Sequence, residues 1–224
     1  MKNSKTEIVT IEVKPVEIAT MNVRIRGISP LIMHKWSSKA KREMLDKHMN
    51  VTKTKAREAK NPVADFIESA YWMTPEPTEW TEEAFLKAVE DGARWGFPVT
   101  AIKQAAIMAA SRNDIDVKTT TLRGSFFIGG EGPDMLAEVK GCVPEMREDI
   151  VRVGGISKNP DIRYRAMFSD WYMDLTIQYN VNGPITPDQI VNLINLGGFT
   201  CGIGEWRPEK DGTFGMYRVE ATGA

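Results

Sequence analysis

The chain has 224 residues, 42% of them hydrophobic, and a formal net charge of −1; that suffices for one domain with insertions and a sizeable core, and announces no acidic partner for the chain as a whole. No apolar run approaches the roughly 18 residues of a membrane span, and the polar start MKNSKTEIVTIEV does not read as a signal peptide. Two cysteines, Cys142 and Cys201, argue against a disulfide framework and for a reducing cytoplasm, and two histidines without a Cys/His cluster argue against a zinc site; no cofactor is expected.

Residues 7–18 look extended, with Pro15 demoting them to an edge strand or arm. Met21, Val23 and Ile25 alternate with Asn22, Arg24 and Arg26, which predicts a half-buried strand over 21–27 with one basic face. Residues 37–60 are polar and helix-permissive without a clear apolar stripe. Asn61-Pro62 opens a short helix, and Thr81 caps a second with Glu82 and Glu83 in its first turn. After Gly96-Phe97-Pro98 a third helix is predicted over 98–111, its narrow face made by Ile102, Ala105, Ala106, Ala109 and Ala110.

A second strand is predicted over 121–128, with Arg123, Ser125 and Phe127 on its polar side, and Gly129-Gly130-Glu131-Gly132-Pro133 as the turn after it. The stretch to Ala166 is strand-like but irregular and concentrates Arg147, Arg152, Lys158, Arg163 and Arg165 around glycines and Tyr164. The clearest strand is 171–179, where Trp171, Met173, Leu175, Ile177 and Tyr179 alternate with Tyr172, Asp174, Thr176 and Gln178. The last helix, over 186–196, has Thr186 as N-cap, Pro187 at its first position, Gln189 completing a capping box and Gly197 placed as a left-handed C-cap. A strand over 214–219 closes the chain.

The neutral total hides an asymmetry. Nine Lys/Arg between Lys35 and Lys60, among them Lys39, Lys41 and Arg42, face only Glu43, Asp46 and Glu58, whereas from Asp65 to Asp91 eight Asp/Glu accompany Lys87 alone. Such blocks form a self-neutralising pair of helices, a basic limb for phosphates, or a contact with the acidic face of a neighbouring subunit.

With 28–97 and 129–168 set aside as insertions, residues 1–224 form a single α+β domain with the order β-α-β-β-α-β, a ferredoxin-like or RRM-like core. Both helices then cover one face of the sheet. The other carries Arg24, Arg26, Arg123, Phe127, Tyr172, Thr176 and Gln178, unless the insertions cover it. Cations interleaved with aromatics on an open sheet are what single-stranded nucleic acid asks for.

Six glycines lie in the segment 197–215, in the pattern Gly202-Ile203-Gly204, seven residues, then Gly212-Thr213-Phe214-Gly215. Backbone N–H groups freed by glycine line anion-binding concavities, with Arg207 and Lys210 for charge and Trp206 for stacking. A long hairpin with glycine hinges explains the same residues, and Glu205, Glu209 and Asp211 offset the cations. In this position the loop resembles the glycine-rich loop of the RAMP superfamily, whose members include the RRM-like backbone subunits and repeat-processing endonucleases of CRISPR systems. The two insertions are similar to the thumb- or finger-like limbs of those backbone subunits. The wording GIGEWRPEKDGTFG also resembles uncharacterised phage or prophage proteins, which implies no activity.

The leading expectation is therefore a non-catalytic protein binding single-stranded RNA or DNA, within a homo-oligomer or a multi-subunit nucleoprotein complex and without a membrane. Its contact residues would be Arg24, Arg26, Lys39, Lys41, Arg42, Arg123, Phe127, Arg152, Lys158, Arg163, Tyr164, Arg165, Tyr172, Trp206, Arg207 and Lys210. The resemblance implies an alternative, a metal-independent ribonuclease with His34 after the first strand as general acid/base. A third reading is a structural, self-assembling protein.

Overall fold

In chain order the elements are β1 (Ile18–Gly27), β2 (Leu31–Ile32), α1 (Ser38–His48), α2 (Pro62–Ser69), β3 (Tyr71–Trp72), α3 (Glu82–Glu90), β4 (Trp95–Pro98), α4 (Val99–Arg112), α5 (Thr119–Ser125), β5 (Phe126–Ile128), β6 (Leu136–Val139), β7 (Glu145–Val153), β8 (Asn159–Phe168), β9 (Tyr172–Asn180), α6 (Pro187–Thr200) and β10 (Tyr217–Glu220). The computed structural model describes residues 14–50, 59–153 and 159–220. The fold is mixed α+β, with three antiparallel sheets.

The principal sheet has the order β10-β1-β9-β5. Its alternation is that of the sequence. Val23 and Ile25 of β1 and Met173, Leu175 and Ile177 of β9 are buried, while Arg24, Arg26, Tyr172, Asp174 and Thr176 point the other way. Register pairs Arg24 with Asp174 and Glu220, and Arg26 with Tyr172 and Arg218.

Helices α4 and α6 pack against each other. Ile102, Ala105, Ala106, Ala109 and Ala110 of α4 are all buried. The capping box of α6 forms as expected: Gln189 N–H donates to Thr186 Oγ1 (3.3 Å) and Thr186 N–H to Gln189 Oε1 (2.9 Å). The helix does not stop at Gly197. It runs to Thr200, because Gly197 and Gly198 are contact residues rather than breakers. A Cβ on Gly197 would lie 2.8 Å from the Ala106 nitrogen, and one on Gly198 would collide with the Tyr217 carbonyl of β10. Termination falls to Gly202, at φ +63°, whose N–H donates back to the Gly197 carbonyl at 2.9 Å.

The predicted strand over 121–128 is helical for most of its length. Leu122 and Ser125 are buried at helical spacing in α5, Ser125 Oγ donates to the Thr121 carbonyl, and Phe126, in extended backbone, opens β5. Lys103 Nζ of α4 reaches the Arg123 carbonyl at 2.7 Å, satisfying the end of α5. Leu122, Gly124, Phe126 and Ile128 satisfy a period of two in sequence, yet only Phe126–Ile128 is strand, and burial of Leu122 and Ser125, three apart, goes with a helix up to Ser125.

The insertions are ordered where they are described. Residues 28–97 hold β2, three helices, β3 and β4; residues 129–168 hold β6 and the long β7–β8 hairpin. β2 joins that hairpin, and β3, β4 and β6 form the third sheet. Phe66, Trp72, Phe85, Trp95 and Phe168 make an aromatic chain between these sheets. Most of the expected extended segment 7–18 lies outside the described residues, as does the 51–58 part of the basic block. Among the described residues, no helix is long and apolar enough to cross a membrane.

Gly198 gives a direct test of the α6–β10 approach. Gly198→Val should destabilise the fold by about 2 kcal/mol or more through overpacking. Gly124→Ala in α5, where an added Cβ meets nothing within 4 Å, should be neutral or stabilising by up to about 1 kcal/mol. Urea denaturation of both variants distinguishes them.

Candidate nucleic-acid interface

Six of the seven residues expected on the open sheet face are there; Arg123 is not, because it sits on α5. Phe127 is 56% exposed on the edge strand β5. Arg24 lies over the Tyr172 ring at 4.5 Å from its centroid and Arg26 at 5.2 Å. Lys103 lies over Phe127 at 4.0 Å. The face thus carries the Arg24/Arg26–Tyr172 group, while Lys103, which belongs to α4 on the opposite side of the sheet and also lies 5.5 Å from the Phe126 ring, reaches Phe127 at the β5 edge.

Its arginines are not bare. Arg24 Nε donates to Asp174 Oδ1 at 2.7 Å, and Arg26 Nε to Glu220 Oε1 at 2.6 Å, with Asp170 at 3.3 Å. Lys140 adds a bond to Asp174 Oδ2 at 3.2 Å. The hydrogen bond from Arg24, against partial burial and helped by Lys140, holds the Asp174 carboxyl below the usual carboxylate range. The Arg24–Asp174 pair is solvent-exposed and contributes only about 0–1 kcal/mol, whereas Arg26–Glu220 is half-buried. Phosphate oxygens can exchange for an exposed carboxylate such as Asp174 at small cost. Arg218, exposed and opposite Arg26 in register, is a further cation that sequence reading passed over.

The glycine segment and the β7–β8 hairpin touch. Glu205 Oε2 lies 3.7 Å from Arg165 Nη2, and Arg147 lies 4.6 Å over the Phe214 ring. Arg165 is 4% exposed and clamped to Asp149, 7% exposed, at 3.0 Å, while Arg147 holds the other Asp149 oxygen at 2.9 Å. Arg165 is thus a buried structural cation and is withdrawn from the contact surface. Arg207 is tied to Glu209 and to the Gly204 carbonyl. Arg163 pairs with Asp161 and approaches His34 Nε2 at 3.3 Å.

The loop is stitched to β2 and to the turn that leads into it from β1. Glu205 N–H donates to Ile32 O and Gly215 N–H to Pro30 O. Trp206, 41% exposed, takes a left-handed φ of +53°, a strain of about 1–3 kcal/mol that the Phe214 N–H bond to its carbonyl helps to hold. Lys210 is exposed beside it.

A cleft of about 190 Å³ opens between this loop and α4, lined by His34, Tyr71, Gln104, Glu205 and Arg207 among others. His34 Nδ1 sits 3.5 Å from Glu205 Oε1. The bond from His34, against partial burial and with Arg165 and Arg207 near, lowers the Glu205 carboxyl below its ordinary range. Burial, with Asp134 and Glu205 adding to it, pushes the Tyr71 phenol up. Tyr71 and Glu205 were missed in sequence because they are far from His34 along the chain and carry no motif.

The remaining expected contacts are scattered. Lys41 and Arg42 are exposed on α1, where Lys39 also lies, its side chain outside the described ones; Arg152 is exposed on β7. Tyr164 is half-buried on β8, opposite Glu148 in register. Lys158 lies outside the described residues. No protein-family model matches the chain, and no curated protein matches it in sequence.

The two classes of ion pair predict opposite mutational costs. Asp149→Ala strands the buried Arg165 and should destabilise the protein by about 3–5 kcal/mol, whereas Asp174→Ala, at an exposed pair, should cost about 1 kcal/mol or less. Equilibrium denaturation at neutral pH measures both.

Proposed function

We propose that β1, α4, β5, β9, α6 and β10 form a ferredoxin-like, RRM-like core, and that its open sheet face binds single-stranded RNA or DNA without chemistry. The strand order β10-β1-β9-β5, with every neighbour antiparallel and both helices in contact, supports the core. The observation that carries the binding reading is the pair of cation–aromatic groups, Arg24/Arg26 on Tyr172 on the solvent side of that sheet and Lys103 on Phe127 at its β5 edge. Two bases stacking on these rings would each contribute about 1–3 kcal/mol, and Arg24, Arg26 and Arg218 would meet phosphates. The RAMP-type resemblance of the glycine loop belongs to the same proposal.

With about three phosphates neutralised, affinity for a single-stranded oligomer should fall about 20-fold between roughly 50 and 200 mM salt. Phe127→Ala and Tyr172→Ala should each weaken binding about tenfold at unchanged salt slope, and Arg26→Ala should lower the slope. Fluorescence polarisation measures all of these; no salt-sensitive binding of any RNA or DNA oligomer removes the proposal.

A second reading, metal-independent cleavage of RNA, is favoured by one arrangement: His34 and Tyr71 share a cleft, with Glu205 against the imidazole. Histidine is suited to general acid/base work near neutrality. Incubation of structured RNA in EDTA, followed on denaturing gels, tests it: cleavage lost in His34→Ala supports it, and intact RNA dismisses it.

A further inference from the structure

Among the described residues, the two oppositely charged blocks of the sequence touch at only a few points within one chain: Lys35 Nζ lies 3.6 Å from Glu76, Ser38 N–H donates to Glu68, and Lys60 Nζ lies 3.5 Å from Asp65. Away from these contacts the described side chains of α1 are exposed or half-buried, and α3 buries Phe85 while its other side faces solvent. None of the described side chains of α1 is buried. Eleven residues without a packed face are marginal as a helix in water, yet Leu45 of α1, 57% exposed, and Met49 just past its end, 65% exposed, lie on the side that also carries Arg42. On α3, Leu86 is 58% exposed between Glu83 and Glu90 at helical spacing, and Trp80 is 37% exposed just before the helix. One helix therefore offers apolar side chains in a basic setting, the other apolar side chains in an acidic setting.

We propose that α1 of one copy of this chain docks on the Trp80–Glu90 face of α3 of a second copy. Complementary charge around matched apolar stripes names the occupant: the surface that α1 fits is present on the chain itself. Because the two patches differ, the contact is heterologous and propagates head-to-tail instead of closing as a two-fold dimer. Neither patch includes the open sheet face, so assembly is independent of nucleic-acid binding and is tested without it.

The test is light scattering behind size exclusion on the full chain, freed of nucleic acid, over a concentration series. Runs at about 0.1 M and about 1 M salt compare screening lengths of about 10 and 3 Å. Masses above the monomer that rise with concentration and shrink at high salt are expected. Leu45→Asp and Leu86→Asp should each raise the dissociation constant about tenfold or more, with circular dichroism confirming the fold. Arg42→Glu and Glu83→Arg should each be impaired alone and recover a dimer on mixing, a readout that misfolding would not produce. A monomer at every concentration and salt overturns the proposal, as does assembly indifferent to all four substitutions.

Discussion

The glycine segment is folded so tightly that its backbone, not its side chains, makes the decisive contacts. A Cβ on Gly204 would run into the Ile32 carbonyl, one on Gly212 into that of Trp206, and one on Gly215 into that of Ile203. The two bonds from Glu205 and Gly215 to Ile32 and Pro30 then lock the loop beneath the exit of β1. This close approach sets β10 beside β1, brings Glu220 onto Arg26, and places Glu205 between His34 and Arg165. Gly198 extends the constraint into α6, which can settle on β10 only without a side chain there.

Five of the cations expected to meet a ligand, Arg24, Arg26, Arg163, Arg165 and Arg207, already have a protein carboxylate. The consequences differ with burial. Asp149 and Arg165, both removed from water, are part of the framework that fixes the β7–β8 hairpin against the loop. Arg24 and Arg26 keep partial contact with water, and their carboxylates align the guanidiniums over Tyr172. A chain of nearly zero net charge is then compatible with a local phosphate-binding surface.

The elements with redundant local signals were legible in the sequence. Strand β9 has an unbroken alternation, and α6 has its capping box; both lie close to where the pattern puts them. The errors share one cause, tertiary contact overriding a local signal. Gly197 carries the mark of a helix end and is instead a point of helix–helix contact. The stretch 121–128 reads as one strand, yet burial of Leu122 and Ser125 goes with a helix up to Ser125, and the strand opens only at Phe126. The ring-stacked face was readable because Arg24, Arg26, Phe127 and Tyr172 obey strand alternation. Its neutralising partners were not, since Asp174 and Glu220 meet those arginines only through a cross-strand register that no single segment encodes. The Arg165–Glu205 contact joins residues forty positions apart on different elements and left no trace in composition or spacing.

The central claim, that the solvent face of the β10-β1-β9-β5 sheet carries the nucleic acid, is tested most directly by photocrosslinking. A single-stranded oligomer with halogenated pyrimidines is irradiated with the protein, and the crosslinked residues are located by mass spectrometry. The account predicts crosslinks at Tyr172 and Phe127. Crosslinks confined to the α1 limb or to Trp206, with both sheet aromatics unmodified, would contradict it.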